Sequence, residues 1–223
     1  MPRPARYAPG GMVFHVLNRA VGRRTLFEKD GDYWAFEKAI EETLRTRPMR
    51  FCGYCLMPNH WHFVVWPERD GDLPAFMQHL TNVHVKRWKE HRGEVGYGHL
   101  YQGRYKSFPV QTDEYFYQVL RYVERNAVRA NLVARAESWR WSSLGRPDRD
   151  DPTCSLVAQW PLPRPADWLE FVNQPQSESE MQTLRRCVSR GCPFGDPAWV
   201  FGTARELSLE STLRPRGRPR HER

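Results

Sequence analysis

Residues 57–66 read Met57-Pro58-Asn59-His60-Trp61-His62-Phe63-Val64-Val65-Trp66, and they set the expected architecture of the chain. The β-branched and aromatic run predicts a strand over about 61–66, which the tight turn at Pro58-Asn59 joins to an earlier strand. Alternate residues of a strand share a face, so His60 and His62 project side by side while Trp61 points into a core. Two imidazoles on a rigid strand are candidate metal ligands. Taken alone, this spacing is more typical of two polar positions on a half-exposed strand.

Residues 113–126 predict a helix with a polar and aromatic stripe beside its buried face. Asp113 is the expected N-cap. The apolar positions recur at three- and four-residue spacing: Phe116, Val119, Leu120 and Val123. Tyr115, Tyr122 and Asn126 lie on the neighbouring stripe, and Tyr122 and Asn126 are one turn apart, so both can meet the same bound group. Considered without the histidine pair, the same pattern indicates tyrosines at the edge of a core and an asparagine at the end of a helix.

The remaining elements complete the order β-α-β-β-α-β-α. Strands are expected at about 12–18, 50–57, 61–66 and 102–110, and helices at about 32–45, from Asp72 to the Gly93 stop, and over 113–126. This order predicts an α+β fold, a ferredoxin-like βαββαβ sandwich with an added helix. Two antiparallel central strands would place His60 and His62 in the middle of the sheet.

The charge of the chain favours a polyanionic partner. It carries 34 Lys and Arg against 26 Asp and Glu, for a formal net charge of +8. A merely basic protein without a nucleic-acid partner has the same balance. Candidate DNA-binding residues lie in the loop after the first strand, on one face of the fourth strand and in the C-terminal tail: Arg19, Arg23, Arg24, Gln102, Arg104, Lys106, Arg216 and Arg218.

Several classes of protein are disfavoured by what the sequence lacks. It has no run of about 18 apolar residues, no apolar segment typical of a signal peptide and no phosphate-binding P-loop, so we expect neither a membrane span nor a need for ATP. Five scattered cysteines suit a reducing cytoplasm. Cys52 and Cys55 are expected to be structural, because residues three apart on a strand point to opposite faces and their spacing to the histidines fits no common zinc finger.

Four stretches together resemble the single-tyrosine HUH (IS200-like) transposases, and among them the REP-associated tyrosine transposases of bacteria. They are Phe14-His15-Val16-Leu17-Asn18-Arg19, Tyr54-Cys55-Leu56-Met57-Pro58-Asn59-His60-Trp61-His62, Gly98-His99-Leu100-Tyr101-Gln102-Gly103-Arg104-Tyr105-Lys106-Ser107 and Leu120-Arg121-Tyr122-Val123-Glu124-Arg125-Asn126-Ala127-Val128-Arg129-Ala130. Their order and spacing fit the family over roughly residues 8–145. The combination is specific, although each piece alone is not.

The resemblance implies the parts of an active site. His60, His62 and Asn126 would hold a divalent metal, Mg²⁺ or Mn²⁺, and Zn²⁺ would also accept the imidazoles. Tyr122 would be the nucleophile. A phenol has a pKa of about 10 and must be activated, by the metal or by an arginine such as Arg121 or Arg125. The family usually has Asn-Pro where this chain has Asn126-Ala127, which leaves the end of the helix less defined.

The resemblance also implies a function and its alternatives. The expected activity is metal-dependent cleavage and rejoining of single-stranded DNA at hairpin-forming repetitive palindromic elements, through a 5′-phosphotyrosine intermediate. A domesticated protein that binds such hairpins without cleaving them is the alternative, and a single-tyrosine replication nickase is another. One tyrosine per chain leaves monomer and homodimer open. The expected location is the bacterial cytoplasm, in association with the nucleoid.

We expect four segments: an HUH domain over 1–145, a linker or irregular packing arm over 146–165, a small helical extension over 166–213 with a possible DNA-binding role, and a basic tail over 214–223. In the extension, Ser177 opens a capping box and Asp196-Pro197 opens another helix. A helix-turn-helix and a plain helical hairpin both fit. The tail reads as an AT-hook-like segment or as a nonspecific basic tail.

Overall fold

A four-stranded antiparallel sheet and eight α-helices make up the described part of the chain, which in this computed structural model is residues 7–146 and 156–214. In chain order the elements are β1 (Val13–Arg19), α1 (Asp30–Thr46), β2 (Arg50–Met57), β3 (His60–Trp66), α2 (Asp72–Arg92), β4 (Lys106–Val110), α3 (Glu114–Glu124), α4 (Asn126–Arg129), α5 (Trp168–Asn173), α6 (Glu178–Arg190), α7 (Pro197–Glu206) and α8 (Glu210–Leu213).

The strands lie in the order β2-β3-β1-β4, and every neighbouring pair is antiparallel. This is the order of a ferredoxin-like βαββαβ sheet, so the predicted α+β class is confirmed. β1 and β3 occupy the centre, with Leu17 paired to His62 and Arg19 paired to His60. The histidine strand therefore has hydrogen-bonded neighbours on both sides, which makes it a rigid support for two side chains.

The two faces of the sheet are covered by different helices. On one face, α1 and α2 pack against the side chains of Trp61 and Phe63, which are fully buried. On the other face, α3 buries the four apolar residues predicted for its stripe: Phe116, Val119, Leu120 and Val123. Because strand side chains alternate, the histidines flanking Trp61 point toward the α3 face.

The prediction that Cys52 and Cys55 face opposite sides of β2 is wrong. The register of β2 against β3 shifts between Phe51 and Gly53, and this bulge places both cysteines in the core beneath α3. Gly53 fits there because a Cβ atom would lie 2.7 Å from a methyl carbon of Leu120. Burial raises the pKa of both thiols to about 12, which keeps them protonated.

Two predicted element boundaries also differ. β4 begins at Lys106 rather than at about residue 102, because the backbone N–H of Gln102 donates to Arg19 O (3.0 Å) and the Asn18 amide donates to Gly103 O (3.3 Å). The preceding segment is thus tied to the end of β1 instead of continuing β4. The N-cap of α2 is Gly71, in the left-handed region at φ 83°, and Asp72 is the first helical residue.

The segment after residue 156 packs onto the sheet and α3. Trp168 and Leu184 are buried in the same core as α3. Phe194 pairs with the outer edge of β4, and Ser142 pairs with the outer edge of β2. Backbone therefore covers part of each outer edge and shortens the stretch open to pairing with another chain. The capping box predicted at Ser177 and the N-cap predicted at Asp196 are confirmed, whereas the four-segment division stays a prediction.

Two expectations fall wholly or partly outside the described residues. Arg216 and Arg218 of the basic tail lie outside them, as does most of the first half of the expected linker. In the described part of that linker, Trp160 donates its indole N–H to Cys52 O (2.6 Å), so an irregular arm packs against β2. Within residues 7–146 and 156–214, no helix is long and apolar enough to cross a membrane.

Candidate functional site

An open cavity of about 760 Å³ lies where the ends of β1 and β3 meet α3, α4 and the segment before β4. Most of the residues singled out from the sequence line it: His60, His62, Tyr122, Asn126, Arg19, Gln102, Arg104 and Lys106. These residues come from four separate parts of the chain. The fold therefore gathers the candidate ligands, the candidate nucleophile and basic groups around one opening.

His60 is held in one defined orientation. Its Nδ1 lies 2.6 Å from Oδ1 of Asn59, whose amide nitrogen donates to Arg23 O (3.3 Å). Because the Asn59 oxygen can only accept, His60 Nδ1 must carry the proton, and Nε2 is the unprotonated nitrogen. An orienting partner of this kind is typical of metal-binding histidines.

His62 contacts a third histidine, to which no role was assigned from the sequence. His15, on β1, is fully buried, and its Nε2 lies 2.8 Å from His62 Nδ1. Either ring can donate, and only donation by His62 leaves its Nε2 bare for a ligand. The signal in the sequence was a polar residue inside the buried apolar run Val13–Leu17, which paired strands bring beside His62.

All three imidazoles are held in the neutral state. Burial, and then the positive charge of Arg129, lowers the pKa of His15 to about 3. Burial, followed by Arg19 and Arg129, lowers the pKa of His60 to about 3, and burial with the neighbouring histidines lowers that of His62 well below its ordinary value. Neutral imidazole is the form that binds a metal ion.

Tyr122 is the tyrosine of α3 that faces this cavity. Its ring centroid lies 5.9 Å from that of His62, in an edge-on arrangement. Tyr115 instead packs edge-on against Phe194 at 5.2 Å, and the Tyr117 hydroxyl donates to Pro163 O (2.6 Å). The structure therefore brings Tyr122, rather than either of the other two, beside the histidine pair.

Asn126 lies just past a break in the helix. α3 ends at Glu124, Arg125 adopts φ −85° and ψ 3°, and α4 begins at Asn126. The end of the helix, which the sequence left less defined, is thus a slight break at Arg125 that keeps Asn126 facing the cavity. Its Oδ1 accepts a hydrogen bond from the guanidinium of Arg129, while its Nδ2 is buried with no partner among the described residues.

Arg129 is the second residue that sequence reasoning missed. Its guanidinium carbon lies 4.2 Å from the centroid of the Tyr122 ring, and it also donates to Tyr122 O (3.3 Å). Arg121, one of the two arginines named as activators, points away from the cavity. It donates to the carbonyl oxygens of Gln174 (2.9 Å) and Pro175 (2.7 Å) and so anchors the C-terminal segment to α3.

Two of the basic residues predicted to bind DNA lie outside the cavity lining. Arg24 forms a two-point ion pair with Glu94, with N–O distances of 2.6 and 2.9 Å, and its guanidinium stacks on Trp88. The carbonyl of Arg23 accepts from Asn59, which makes this residue part of the support of His60. The basic side chains that do line the opening are Arg19, Arg104, Lys106 and Arg129.

The groups present fit a divalent ion. Nε2 of His60 and of His62 and Oδ1 of Asn126 offer two nitrogens and one oxygen, a set that Mn²⁺ and Zn²⁺ accept. Among the residues that the structure describes, no three histidine, cysteine or carboxylate side chains are clustered for a metal, so the third ligand from this chain would be an amide. None of the three carries charge, so we expect modest affinity.

Comparisons with known proteins identify a family and similar folds. Residues 10–126 match the family model described as "Transposase IS200 like". Among solved structures, a REP-associated tyrosine transposase bound to a REP hairpin aligns with TM-score 0.53 and 21% identity, over 66% of this chain and 84% of that one. A candidate transposase from Deinococcus radiodurans R1 aligns with TM-score 0.40 and 15% identity, over 56% of this chain and 97% of that one. No protein of curated function matches.

Proposed function

Because the chain belongs to the IS200-like transposase family, we propose that it cleaves and rejoins single-stranded DNA by covalent catalysis at Tyr122. One observation carries the proposal: Tyr122 faces the same cavity as His60, His62 and Asn126. A protein that only bound DNA would need neither a buried neutral histidine pair nor a tyrosine placed edge-on to it.

The proposed reaction is an exchange of phosphodiester partners. Tyr122 Oη attacks the scissile phosphorus, a P–O bond to the phenolic oxygen forms, and the bond to the 3′ oxygen breaks. The phenol proton is lost and the departing 3′ oxygen gains one, leaving a 3′-OH and a 5′-phosphotyrosine. Attack of a 3′-OH on the phosphotyrosine reverses these steps and rejoins DNA. Because the ester keeps the bond energy, rejoining needs no ATP.

His60, His62 and Asn126 would hold the divalent ion, with Mg²⁺ or Mn²⁺ as the expected ion. When bound, it would act as a Lewis acid that polarises the phosphate and orients it. The contribution of the chain itself is to keep both imidazoles neutral by burial and to direct His60 Nε2 outward through the hydrogen bond to Asn59. These features prepare the ligands before the ion arrives.

The proposed substrate is a DNA hairpin with a single-stranded flank. Arg19, Arg104 and Lys106 line the opening and are placed to contact phosphates of the flanking strand. The choice of a hairpin-forming repetitive element rests on the sequence motifs and on the structural neighbour bound to a REP hairpin. Contacts of this kind predict binding that weakens steeply with salt.

A denaturing gel tests the proposal. Wild-type protein and the Tyr122→Phe variant are incubated with labelled single-stranded hairpin DNA from the source genome, with Mn²⁺, Mg²⁺ or EDTA. We expect a covalent protein–DNA band that requires both the metal and Tyr122. Tyr117→Phe is the matched control, because it removes a hydroxyl from the same helix outside the cavity, and it should keep the band. Specific binding of the hairpin by wild type without any covalent band would favour a binding protein.

A further inference from the structure

Arg129 competes for the atom that a metal needs. Its guanidinium donates to Asn126 Oδ1 and stacks on the ring of Tyr122, between the candidate third ligand and the candidate nucleophile. It lies beyond residue 126, where the match to the family model ends. The guanidinium stays protonated at any pH the protein tolerates, so a fixed positive charge occupies this side of the cavity.

The hydrogen bond from Arg129 fixes the orientation of the Asn126 amide. Rotation by 180° would place its NH₂ group against the donors of Arg129, and donors repel one another. A divalent ion at Asn126 Oδ1 would likewise be repelled by the guanidinium, because both are cations that approach the same oxygen. The oxygen has a second lone pair for an ion, but the ion would bind there more tightly once Arg129 has left.

A phosphate is the natural second partner for the released guanidinium. Arginine binds phosphate through paired N–H donors, and a phosphate oxygen is a stronger acceptor than an amide oxygen. The stack on Tyr122 would keep the guanidinium beside the phenol while its hydrogen bonds change partner. The same residue can thus hold Asn126 in the free protein and the substrate in the complex.

Building on the proposed function, we propose that Arg129 is a phosphate-binding residue of this site that exchanges Asn126 for the scissile phosphate, so that metal and DNA bind cooperatively. In free protein, the metal binds against the positive charge of Arg129 at Asn126 Oδ1. When DNA is bound, its phosphate has already drawn Arg129 away. Each ligand therefore raises the affinity for the other by the same factor.

Metal titrations test this without any cleavage. Mn²⁺ is added to DNA-free protein and the loss of the free-ion EPR signal gives the Kd. We expect Arg129→Ala to bind Mn²⁺ about tenfold more tightly than wild type, since the guanidinium no longer repels the ion at Asn126 Oδ1. Arg205→Ala removes an exposed positive charge on α7, outside the cavity lining, and is the control, expected to stay within about threefold of wild type.

The effect of DNA on Mn²⁺ affinity is the second readout. With a hairpin substrate in the Tyr122→Phe background, DNA should tighten Mn²⁺ binding by more than about tenfold. Arg129→Ala should reduce this coupling by about tenfold, leaving the part that comes from direct contact between ion and phosphate, and should weaken DNA binding. Arg129→Met keeps an unbranched stem without charge or N–H donors. It serves as the second variant if the alanine variant misfolds, and it should show the same gain in Mn²⁺ affinity. Unchanged or weaker Mn²⁺ binding in folded Arg129 variants overturns the inference.

These outcomes separate the inference from the proposed function. If wild type forms no covalent adduct on the gel, covalent cleavage fails, whatever Mn²⁺ does. If wild type forms the adduct and the Arg129 variants bind Mn²⁺ no more tightly, only the exchange of partners by Arg129 fails.

Discussion

Replacing Asn59 by alanine should weaken metal binding without unfolding the protein. Asn59 Oδ1 lies 2.6 Å from His60 Nδ1 and fixes the proton there. In Asn59→Ala the ring is free to rotate and to carry its proton on Nε2, the nitrogen that the metal needs. A hydrogen bond of this kind contributes about 0.5–1.5 kcal/mol, and more once the bound ion polarises the N–H group. We therefore expect Mn²⁺ affinity to fall about tenfold, within the usual range for a partner of a metal ligand.

The measurement is the Kd for Mn²⁺ by EPR, with circular dichroism to confirm the fold. Asn59→Asp is the matched control, because it keeps an acceptor oxygen beside His60 and adds a negative charge near the ion, so its affinity should equal or exceed that of wild type. If Asn59→Ala binds Mn²⁺ within twofold of wild type, the orientation of His60 by Asn59 has no energetic role and the argument is refuted.

Three predictions concern stability and use urea unfolding. Tyr101→Phe should cost about 2–4 kcal/mol, because the buried hydroxyl pairs with Trp61 Nε1 (3.0 Å) and His84 Nδ1 (2.7 Å); a cost under 0.5 kcal/mol contradicts this. Burial lowers the pKa of His84 to about 3 while the unfolded value is about 6.5, so acidification favours the unfolded state. Between pH 7.5 and 5.0 the free energy of unfolding of wild type should fall by about 2 kcal/mol more than that of His84→Phe; equal falls would show that His84 is not held neutral. Gly53→Ala should cost about 1–3 kcal/mol through a clash with a buried leucine of α3, and an unchanged midpoint speaks against that packing.

The sequence predicted most of the fold because its patterns are local. The alternation after Asn59 and the buried stripe of α3 each require one periodicity, and both strands and helix appear within a few residues of their expected bounds. The bulge in β2 depends on how closely α3 approaches Gly53, which is a tertiary property. For the same reason, the start of β4 was misplaced: Gln102 bonds to the end of β1, which no local pattern reveals.

The site was predictable in its reactive residues and less so in their partners. His60, His62, Tyr122 and Asn126 follow from spacing and from resemblance. Arg129 lies three residues after Asn126 and seven after Tyr122, a helical spacing that the sequence carries, whereas His15 lies beside His62 only because β1 pairs with β3. Partner groups of this kind are chosen by three-dimensional contact, and a single sequence gives little sign of them.

The identity of the nucleophile is the central claim, and peptide mapping of the DNA adduct tests it most directly. Wild-type protein is trapped with hairpin DNA and Mn²⁺, digested with nuclease and trypsin, and analysed by mass spectrometry. Cleavage after Arg121 and Arg125 places Tyr122 in a four-residue peptide, apart from Tyr115 and Tyr117. We predict a 5′-phosphonucleotide on that peptide alone. A nucleotide on the peptide with Tyr115 and Tyr117, or cleaved DNA without any adduct, would contradict the account.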